Sequence, residues 1–287
     1  MDFYGFYTGT EFHAHEYLGA HVTDDGVVFR VFAPAASGIA VIGEFNEWNG
    51  DPMHKIYDGN FWECVIPTAK VGQMYKYRIY DQSGGCLDRC DPYGRRMELR
   101  PHSASIICGG GKQKFTDEKW LKTRDGGLDK PLNIYEIHAG SWRCKPDEED
   151  QKDVAEHWYN YRELADLLVP YLKENHYHYV EMMPLAEHPS DESWGYQISG
   201  FFSPTSRYGT PDDLKYLVNK CHNAGIGVIM DFVPVHFAVD DYALWNFDGT
   251  ALYEYPHGDV GKSEWGSCNF MHSRGEVRSF LQSAADY

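Results

Sequence analysis

The sequence lacks several features that mark common classes of protein. Its seven cysteines are odd in number and contain no C-x-x-C pair, so neither a zinc site nor a disulfide framework is indicated. The first residues contain no basic region followed by an apolar block, which argues against a signal peptide. No apolar run approaches the length of a membrane span. We therefore expect no metal site, no membrane partner and a reducing, cytoplasmic location.

Basic residues are also few for a chain of this size. There are 26 lysines and arginines against 43 aspartates and glutamates, which gives a net charge of −17 at pH 7. A chain of this charge repels phosphate backbones, so nucleic acid is a poor partner. Neither the G-x-G-x-x-G motif of dinucleotide-binding folds nor the G-x-S-x-G motif of serine hydrolases occurs. We expect no cofactor. The sequence does not set the oligomeric state, for which a monomer is the expectation.

Aromatic residues, in contrast, are plentiful. The chain has 21 Tyr, 15 Phe and 8 Trp. Most of these rings suit a packed core, but Tyr and Trp also combine a flat apolar face with a polar group, which suits a sugar ring. Trp48 and Trp62 in the N-terminal part are candidate sugar platforms, and a core position for both is the equal alternative.

The first 108 residues have the pattern of an all-β fold. Short segments of alternating apolar and polar residues lie between turn residues such as Asp, Asn, Gly and Pro. Four of these segments cover residues 27–34, 38–45, 60–67 and 73–81. Their spacing predicts an immunoglobulin-like β-sandwich for residues 1–108. Residues 109–130 are rich in Gly and Lys without clear periodicity, and they are predicted to be a linker.

Residues 131–287 change to alternating strands and helices. Strands are predicted at 133–140, 179–184 and 227–234, and helices at 160–177, 210–225 and 274–287. Asn160 and Thr210 fit helix N-caps, whereas Pro170 should bend or interrupt the first helix. The alternation predicts a parallel sheet covered by helices. An open doubly wound sheet and an eight-fold barrel both begin in this way, and the long polar loops after the second and third strands favour the barrel.

Polar residues lie on the later part of the three predicted strands or in the loops after them. Three groups stand out: Glu136 and His138; His188, Asp191, Glu192, Trp194 and Tyr196; and Asp231 with His236. In a barrel, the carboxyl ends of the strands carry the catalytic and binding groups. No pair of carboxylates forms a motif that marks the acid and the nucleophile of a glycosidase. The residues alone therefore predict a sandwich followed by the start of a barrel with a polar pocket.

Several motifs in order resemble the glycogen (1,4-α-glucan) branching enzymes of the α-amylase clan. They are NIYEIHAGSW, YRELADLLVPYLKE, EMMPLAEHPSDESWGYQ, GVIMDFVPVHF and FDGTALYEY, preceded by GVVFRVFAPAASGIAVIGEFNEWNG, which resembles the carbohydrate-binding module of that family. The resemblance runs from about residue 18 to residue 287. It implies a carbohydrate-binding sandwich followed by the first three βα units of a (β/α)8 barrel, an α-glucan substrate, and glycosyl transfer that turns α-1,4 bonds into α-1,6 branches by retaining double displacement.

The resemblance also assigns roles to particular residues. It implies that Asp231, His236 and Tyr196 hold the glucose on the donor side of the cleaved bond, with Trp194 beside Tyr196 in the same motif. Many amylases carry a calcium-binding Asn immediately before this His, but Val235 occupies that place here and cannot bind a metal. The nucleophilic Asp and the acid/base Glu of the family follow strand four and later strands, so no catalytic carboxylate is expected within this chain.

Length gives the same expectation, because residues 131–287 are fewer than the roughly 250 of a complete barrel. The sequence therefore predicts the N-terminal portion of a branching enzyme, inactive by itself and with a poorly stable barrel part. Two alternatives stay open: a glucan-binding fragment without catalysis, and a debranching or hydrolytic relative.

Overall fold

The structure is a computed structural model that describes residues 1–124, 129–146, 157–256 and 258–287. The helices are α1 (Phe3–Thr8), α2 (Glu118–Thr123), α3 (Tyr161–Glu174), α4 (Pro211–Asn223), α5 (Gly258–Gly261) and α6 (Gly275–Asp286). The first nine strands are β1 (Gly19–Thr23), β2 (Gly26–Phe32), β3 (Gly38–Gly43), β4 (Asp51–Pro52), β5 (His54–Ile56), β6 (Phe61–Ile66), β7 (Met74–Tyr80), β8 (Cys86–Arg89) and β9 (Ser105–Ile106). The later strands are β10 (Ile134–Ile137), β11 (Tyr179–Met182), β12 (Ala186–Glu187), β13 (Gly200–Pro204), β14 (Gly227–Met230), β15 (His236–Phe237) and β16 (Cys268–Asn269).

The chain forms two compact units. The first contains residues 1–109, 186–203 and 233–287, and the second contains residues 110–185 and 204–232. Within the described residues, no helix combines the length and the apolar character that a bilayer span requires.

The N-terminal strands of the first unit form two antiparallel sheets. One has the strand order β1-β2-β6-β5, and the other has the order β4-β3-β7-β8 with β9 also paired to β7. Along β7, Tyr75, Tyr77 and Ile79 are at most 1% exposed, while the residues between them are half-buried. This alternation matches the two-residue period of a strand with one face in the core. The predicted sandwich is confirmed.

Two later segments pack into this same first unit. Tyr93 stacks on Phe202 with ring centroids 4.8 Å apart, and Phe202 meets the edge of Phe280 in α6 at 5.5 Å. The buried Arg89 of β8 donates hydrogen bonds to the carbonyl oxygens of Asn246 (2.7 Å) and Phe247 (3.2 Å). The sequence placed residues 131–287 in a single domain after the linker. The two compact units of the structure divide the chain differently, because the later segments of the first unit carry aromatic residues that are buried with the sandwich core.

The second unit contains the parallel sheet and the helices α2, α3 and α4. Its strand order is β10-β11-β14, and all pairs are parallel. Helix α3 buries Leu164, Leu168 and Leu172 completely, which gives it one apolar stripe. The incomplete barrel that the sequence predicts is consistent with these three parallel strands and their covering helices.

Two details of the second unit differ from expectation. Helix α3 continues through Pro170, which is exposed, so the predicted interruption is wrong. The buried leucine stripe on both sides of the proline holds the helix together. Residues 109–130, predicted as a linker, contain α2, whose Trp120 ring stacks on His222 of α4 at 5.2 Å. His222 also contacts the Asp117 carboxylate at 2.6 Å, so the segment is packed against α4 at Asp117 and Trp120.

Candidate functional site

The carboxyl edge of the parallel sheet places Asp231 at the end of β14. The strand register pairs Ile137, Met182 and Met230 across the three strands, so His138 and Asp231 each follow the last paired residue. The backbone N–H of Asp231 donates to the Met182 carbonyl at 3.1 Å, which fixes the residue at this edge. Because neighbouring strands are about 4.8 Å apart, the backbones at His138 and Asp231 are roughly 10 Å apart across β11. The predicted strand-end position of Asp231 is therefore present, with a half-buried side chain.

Trp194 and Tyr196 lie in the connection between β12 and β13 of the first unit. A short turn at Asp191–Ser193 precedes them, and the Tyr196 N–H donates to the Ser193 carbonyl at 2.9 Å. Trp194 is 59% exposed in a left-handed backbone conformation with a φ of 54°. Tyr196 is half-buried against the core of the unit. The connection thus displays one aromatic ring to solvent and anchors the other.

Asp191, a candidate in the same connection, has a structural partner. Its carboxylate accepts from the guanidinium of Arg100, with Nε 3.0 Å from Oδ1. His188 is 2% exposed and its Nδ1 lies 2.9 Å from the Ala186 carbonyl oxygen. Both side chains therefore shape the connection. The residues predicted as a polar group after the second strand therefore differ in role. Asp191 and His188 hold the connection in place, whereas Trp194 is exposed to solvent.

His236 lies on a short ribbon of the first unit. Strand β15 pairs with β16, and Nδ1 of His236 is 2.6 Å from the hydroxyl of Ser267. Ser267 in turn lies 2.6 Å from the hydroxyl of Ser263. Burial lowers the pKa of His236, so the imidazole is neutral at pH 7. With Nδ1 engaged by Ser267, Nε2 is the ring nitrogen that can meet a ligand.

The two tryptophans of the sandwich have different positions. Trp62 is 4% exposed and its indole N–H donates to the Ala33 carbonyl at 3.0 Å, which places it in the core. Lys55 Nζ also lies over its ring at 5.0 Å. Trp62 is therefore corrected from candidate platform to core residue, because a covered ring cannot stack on a sugar. Trp48 is 38% exposed with a φ of 61°, so it stays a candidate.

Besides Trp48, four candidates remain, and each one by its own chemistry suits a neutral polyhydroxyl ligand. Asp231 accepts hydrogen bonds, the neutral His236 exchanges them without a charge, and the rings of Tyr196 and Trp194 offer apolar faces. Asp231 belongs to the second unit, and the other three residues belong to the first. Groups of His, Cys, Asp and Glu that could hold a metal ion do not occur in the described part of the chain.

Sequence reasoning missed Ser267, which positions His236 from 31 residues away. No local pattern marks this pair. It also missed Asp248, a fully buried carboxylate that accepts from the Ala35 N–H at 2.9 Å and from the Thr250 hydroxyl at 2.6 Å. The Asp-Gly-Thr turn at 248–250 was the available signal, because Asp in such turns bonds the backbone two residues on.

Two family models match the chain. Residues 17–94 match carbohydrate-binding module 48 (isoamylase N-terminal domain), and residues 166–247 match the alpha amylase catalytic domain. The folds of solved structures agree with these two matches. A putative alpha amylase from Salmonella typhimurium superposes over 93% of this chain and 41% of its own, with a TM-score of 0.72 and 21% identity. A pullulanase from Paenibacillus barengoltzii superposes over 93% of this chain and 46% of its own chain, with a TM-score of 0.73 and 21% identity.

The fold and the candidate site thus define a carbohydrate-binding module followed by part of an α-amylase-type catalytic domain. The chain is 47% identical over 286 residues to the 1,4-alpha-glucan branching enzyme GlgB of Fusobacterium nucleatum, covering 99% of this chain and 46% of the relative. It is 45% identical to GlgB of Nitrosomonas eutropha, covering 100% of this chain and 39% of that relative. Along nearly its whole length the chain is therefore similar to the N-terminal portion of branching enzymes. It spans about half the length of the curated relatives it matches or less.

Proposed function

We propose that residues 1–287 are the substrate-holding N-terminal part of a 1,4-α-glucan branching enzyme that acts on glycogen-like α-glucan. The observation that carries this proposal is the identity of 47% along 99% of the chain to a branching enzyme. That likeness runs through both the carbohydrate-binding module and the strand-end residues, whereas a debranching relative is supported only by structures that are 21% identical.

In this proposal, His236 and Tyr196 of the first unit contact a glucose ring, and Asp231 of the second unit is a further glucan-binding residue. The Asp231 carboxylate accepts hydrogen bonds from sugar hydroxyls, and the neutral His236 bonds another hydroxyl through Nε2 while Ser267 fixes its ring. Tyr196 stacks beneath the sugar, and the exposed Trp194 extends the apolar surface. Hydrogen bonds that strengthen as the ring flattens stabilise an oxocarbenium-like transition state. These residues are positioning groups and do not break the bond.

The proposed reaction of the whole enzyme is a retaining double displacement. An α-1,4 bond is cleaved, the released end leaves with a proton from a general acid, and the glucan is held through C1 on a carboxylate. A 6-hydroxyl then attacks C1 and loses its proton to the same acid/base group, which forms an α-1,6 branch. No residue of this chain is assigned as nucleophile or acid/base.

The location proposed for the enzyme is the cytoplasm, and a monomer is the proposed state. Six cysteines of the described ranges are free thiols: Cys64, Cys86, Cys90, Cys144, Cys221 and Cys268. Unpaired thiols of this number are typical of a reducing compartment.

Affinity electrophoresis in gels that contain glycogen tests the proposal on the chain of residues 1–287. We expect the chain to be retarded by glycogen, and Trp48→Ala to reduce the retardation because it removes an exposed ring. We further expect no new α-1,6 linkages from this chain, measured by debranching and chain-length analysis. Migration that is unaffected by glycogen contradicts glucan binding, and robust branching contradicts the assignment of the catalytic groups to residues outside 1–287.

A further inference from the structure

Three exposed aromatic residues of this protein share an unusual backbone conformation. Six non-glycine residues in the described ranges have positive φ, and three of them are tryptophan or tyrosine: Trp48 at 61°, Tyr57 at 55° and Trp194 at 54°. A bulky residue rarely adopts this conformation, which costs of order 1–3 kcal/mol. All three rings are exposed, by 38%, 64% and 59% respectively. Trp48 and Trp194 are glucan-contact candidates already, whereas Tyr57 has no role so far.

The fold holds the ring of Tyr57 in one orientation. Tyr57 lies in the turn between β5 and β6, which the Gly59 N–H closes on the Ile56 carbonyl at 3.0 Å. Its ring stacks on Phe3 of α1, with centroids 4.0 Å apart and planes 10° from parallel. Phe3 in turn meets the buried Phe61 at 5.1 Å. Because Phe3 covers one face of Tyr57, the 64% exposure belongs to the opposite face and the ring edge.

Polar groups suited to sugar hydroxyls lie in the same turn. The exposed Asp58 carboxylate accepts from the Tyr7 hydroxyl at 2.5 Å and from the Asn60 side-chain amide at 3.1 Å. The same amide donates to the Tyr7 hydroxyl at 3.0 Å. This network fixes a carboxylate and an amide in the same turn as Tyr57. A flat apolar face with a few fixed polar groups is the chemistry that recognises a sugar ring.

We propose that Tyr57 is a stacking platform for one glucose ring of an α-glucan chain, with Asp58 and Asn60 bonding its hydroxyls. The substrate class rests on the proposed function. The backbone strain supports a role for the ring, because Asn or Gly would occupy this left-handed position at lower cost. The negative charge of Asp58 and of the chain as a whole favours a neutral ligand over an anion.

Two substitutions at Tyr57 distinguish the contribution of its ring to binding from its contribution to the stability of the fold. Tyr57→Asn removes the ring and suits the left-handed backbone, and Tyr57→Phe keeps the ring without its hydroxyl. Calorimetric titration of the chain 1–287 with maltoheptaose, and retardation in glycogen gels, provide the readouts. We expect Tyr57→Asn to weaken glucan binding about tenfold, as the loss of one stacking contact predicts, and Tyr57→Phe to stay within about twofold.

The control is Trp48→Ala, which acts on the other exposed ring of the sandwich. Unchanged binding by Tyr57→Asn, together with weaker binding by Trp48→Ala, overturns the Tyr57 platform and leaves the proposed function in place. Equal losses for Tyr57→Asn and Tyr57→Phe also overturn stacking. A wild-type chain that binds neither maltoheptaose nor glycogen overturns both proposals. If Tyr57→Asn lowers the melting temperature, Tyr57→Leu replaces it, since leucine keeps an apolar cover on Phe3, and full binding by Tyr57→Leu overturns the platform.

Discussion

At the scale of single residues, the sandwich core contains a carboxyl group at its centre. Asp91 is 2% exposed and accepts hydrogen bonds from the hydroxyls of Tyr75 (2.7 Å) and Tyr77 (3.1 Å) and from the Tyr93 N–H (2.9 Å). These three donors stabilise the carboxylate, yet burial outweighs them and raises the pKa of Asp91 to about 6. Deprotonation therefore costs more in the folded chain than in the unfolded chain.

A pH dependence of stability follows from Asp91. The folded state holds the proton up to about pH 6 and the unfolded state only to about pH 4, so the free energy of unfolding should fall as pH rises between these values. The free energy of unfolding falls by about 3 kcal/mol when the titration of Asp91 is complete, because its pKa differs by roughly two units between the two states. Asp91→Asn keeps the shape without the titration. Urea unfolding at several pH values should show this fall in the wild type and not in the variant, and parallel curves would contradict the assignment.

At the scale of secondary-structure elements, helix starts follow from local sequence. Asn160 accepts from the N–H groups of Arg162 (3.0 Å) and Glu163 (2.9 Å), and Glu163 accepts in return from the Asn160 N–H at 2.9 Å. This capping box was predicted because its residues are three apart in the chain. The continuity of α3 through Pro170 was not predicted from the sequence, since it depends on leucines that are buried by other elements.

The cap of α3 gives a prediction at this scale. Asn160→Ala leaves the first N–H groups of the helix without the side-chain acceptor and should lower the free energy of unfolding by about 1 kcal/mol. Asn160→Ser retains an oxygen at the same place and should lose only a few tenths of that amount. Chemical denaturation followed by circular dichroism measures both. If Asn160→Ala is as stable as Asn160→Ser, the side-chain cap contributes nothing to the free energy of unfolding.

At the scale of the whole molecule, the two units contain sheets of different kinds. Antiparallel sheets in the first unit have central strands β2, β6, β3 and β7, each paired on both sides. In the second unit, β10 and β14 are paired only to β11 within the described residues. Ile134 of β10 is 41% exposed and Met230 of β14 is 45% exposed. An unpaired parallel edge leaves backbone groups and apolar side chains in contact with water.

Hydrogen exchange tests the consequence for stability. We expect amides of β10 and β14 in the chain 1–287 to exchange at least about tenfold faster than those of β6 and β7, because local opening of an edge strand exposes less new surface. Mass spectrometry of peptic peptides after a time course gives the comparison. Equal protection of β14 and β6, with one cooperative unfolding transition, would contradict a weakly held sheet.

The sequence by itself determined the longer strands of the sandwich, the three parallel strands and the helices α3, α4 and α6, because strand alternation, helix stripes and caps depend on residues a few positions apart. It also placed Asp231 at a strand end, since the apolar run GVIM ends immediately before it. Tertiary structure decided which tryptophan is displayed, since Trp48 is 38% exposed and Trp62 is 4% exposed. It also decided the lowered pKa of His236, which burial causes, and the contact of its Nδ1 with a serine 31 residues away. Exposure and pKa are set by neighbours that are distant in the chain, and only the folded molecule brings those neighbours together.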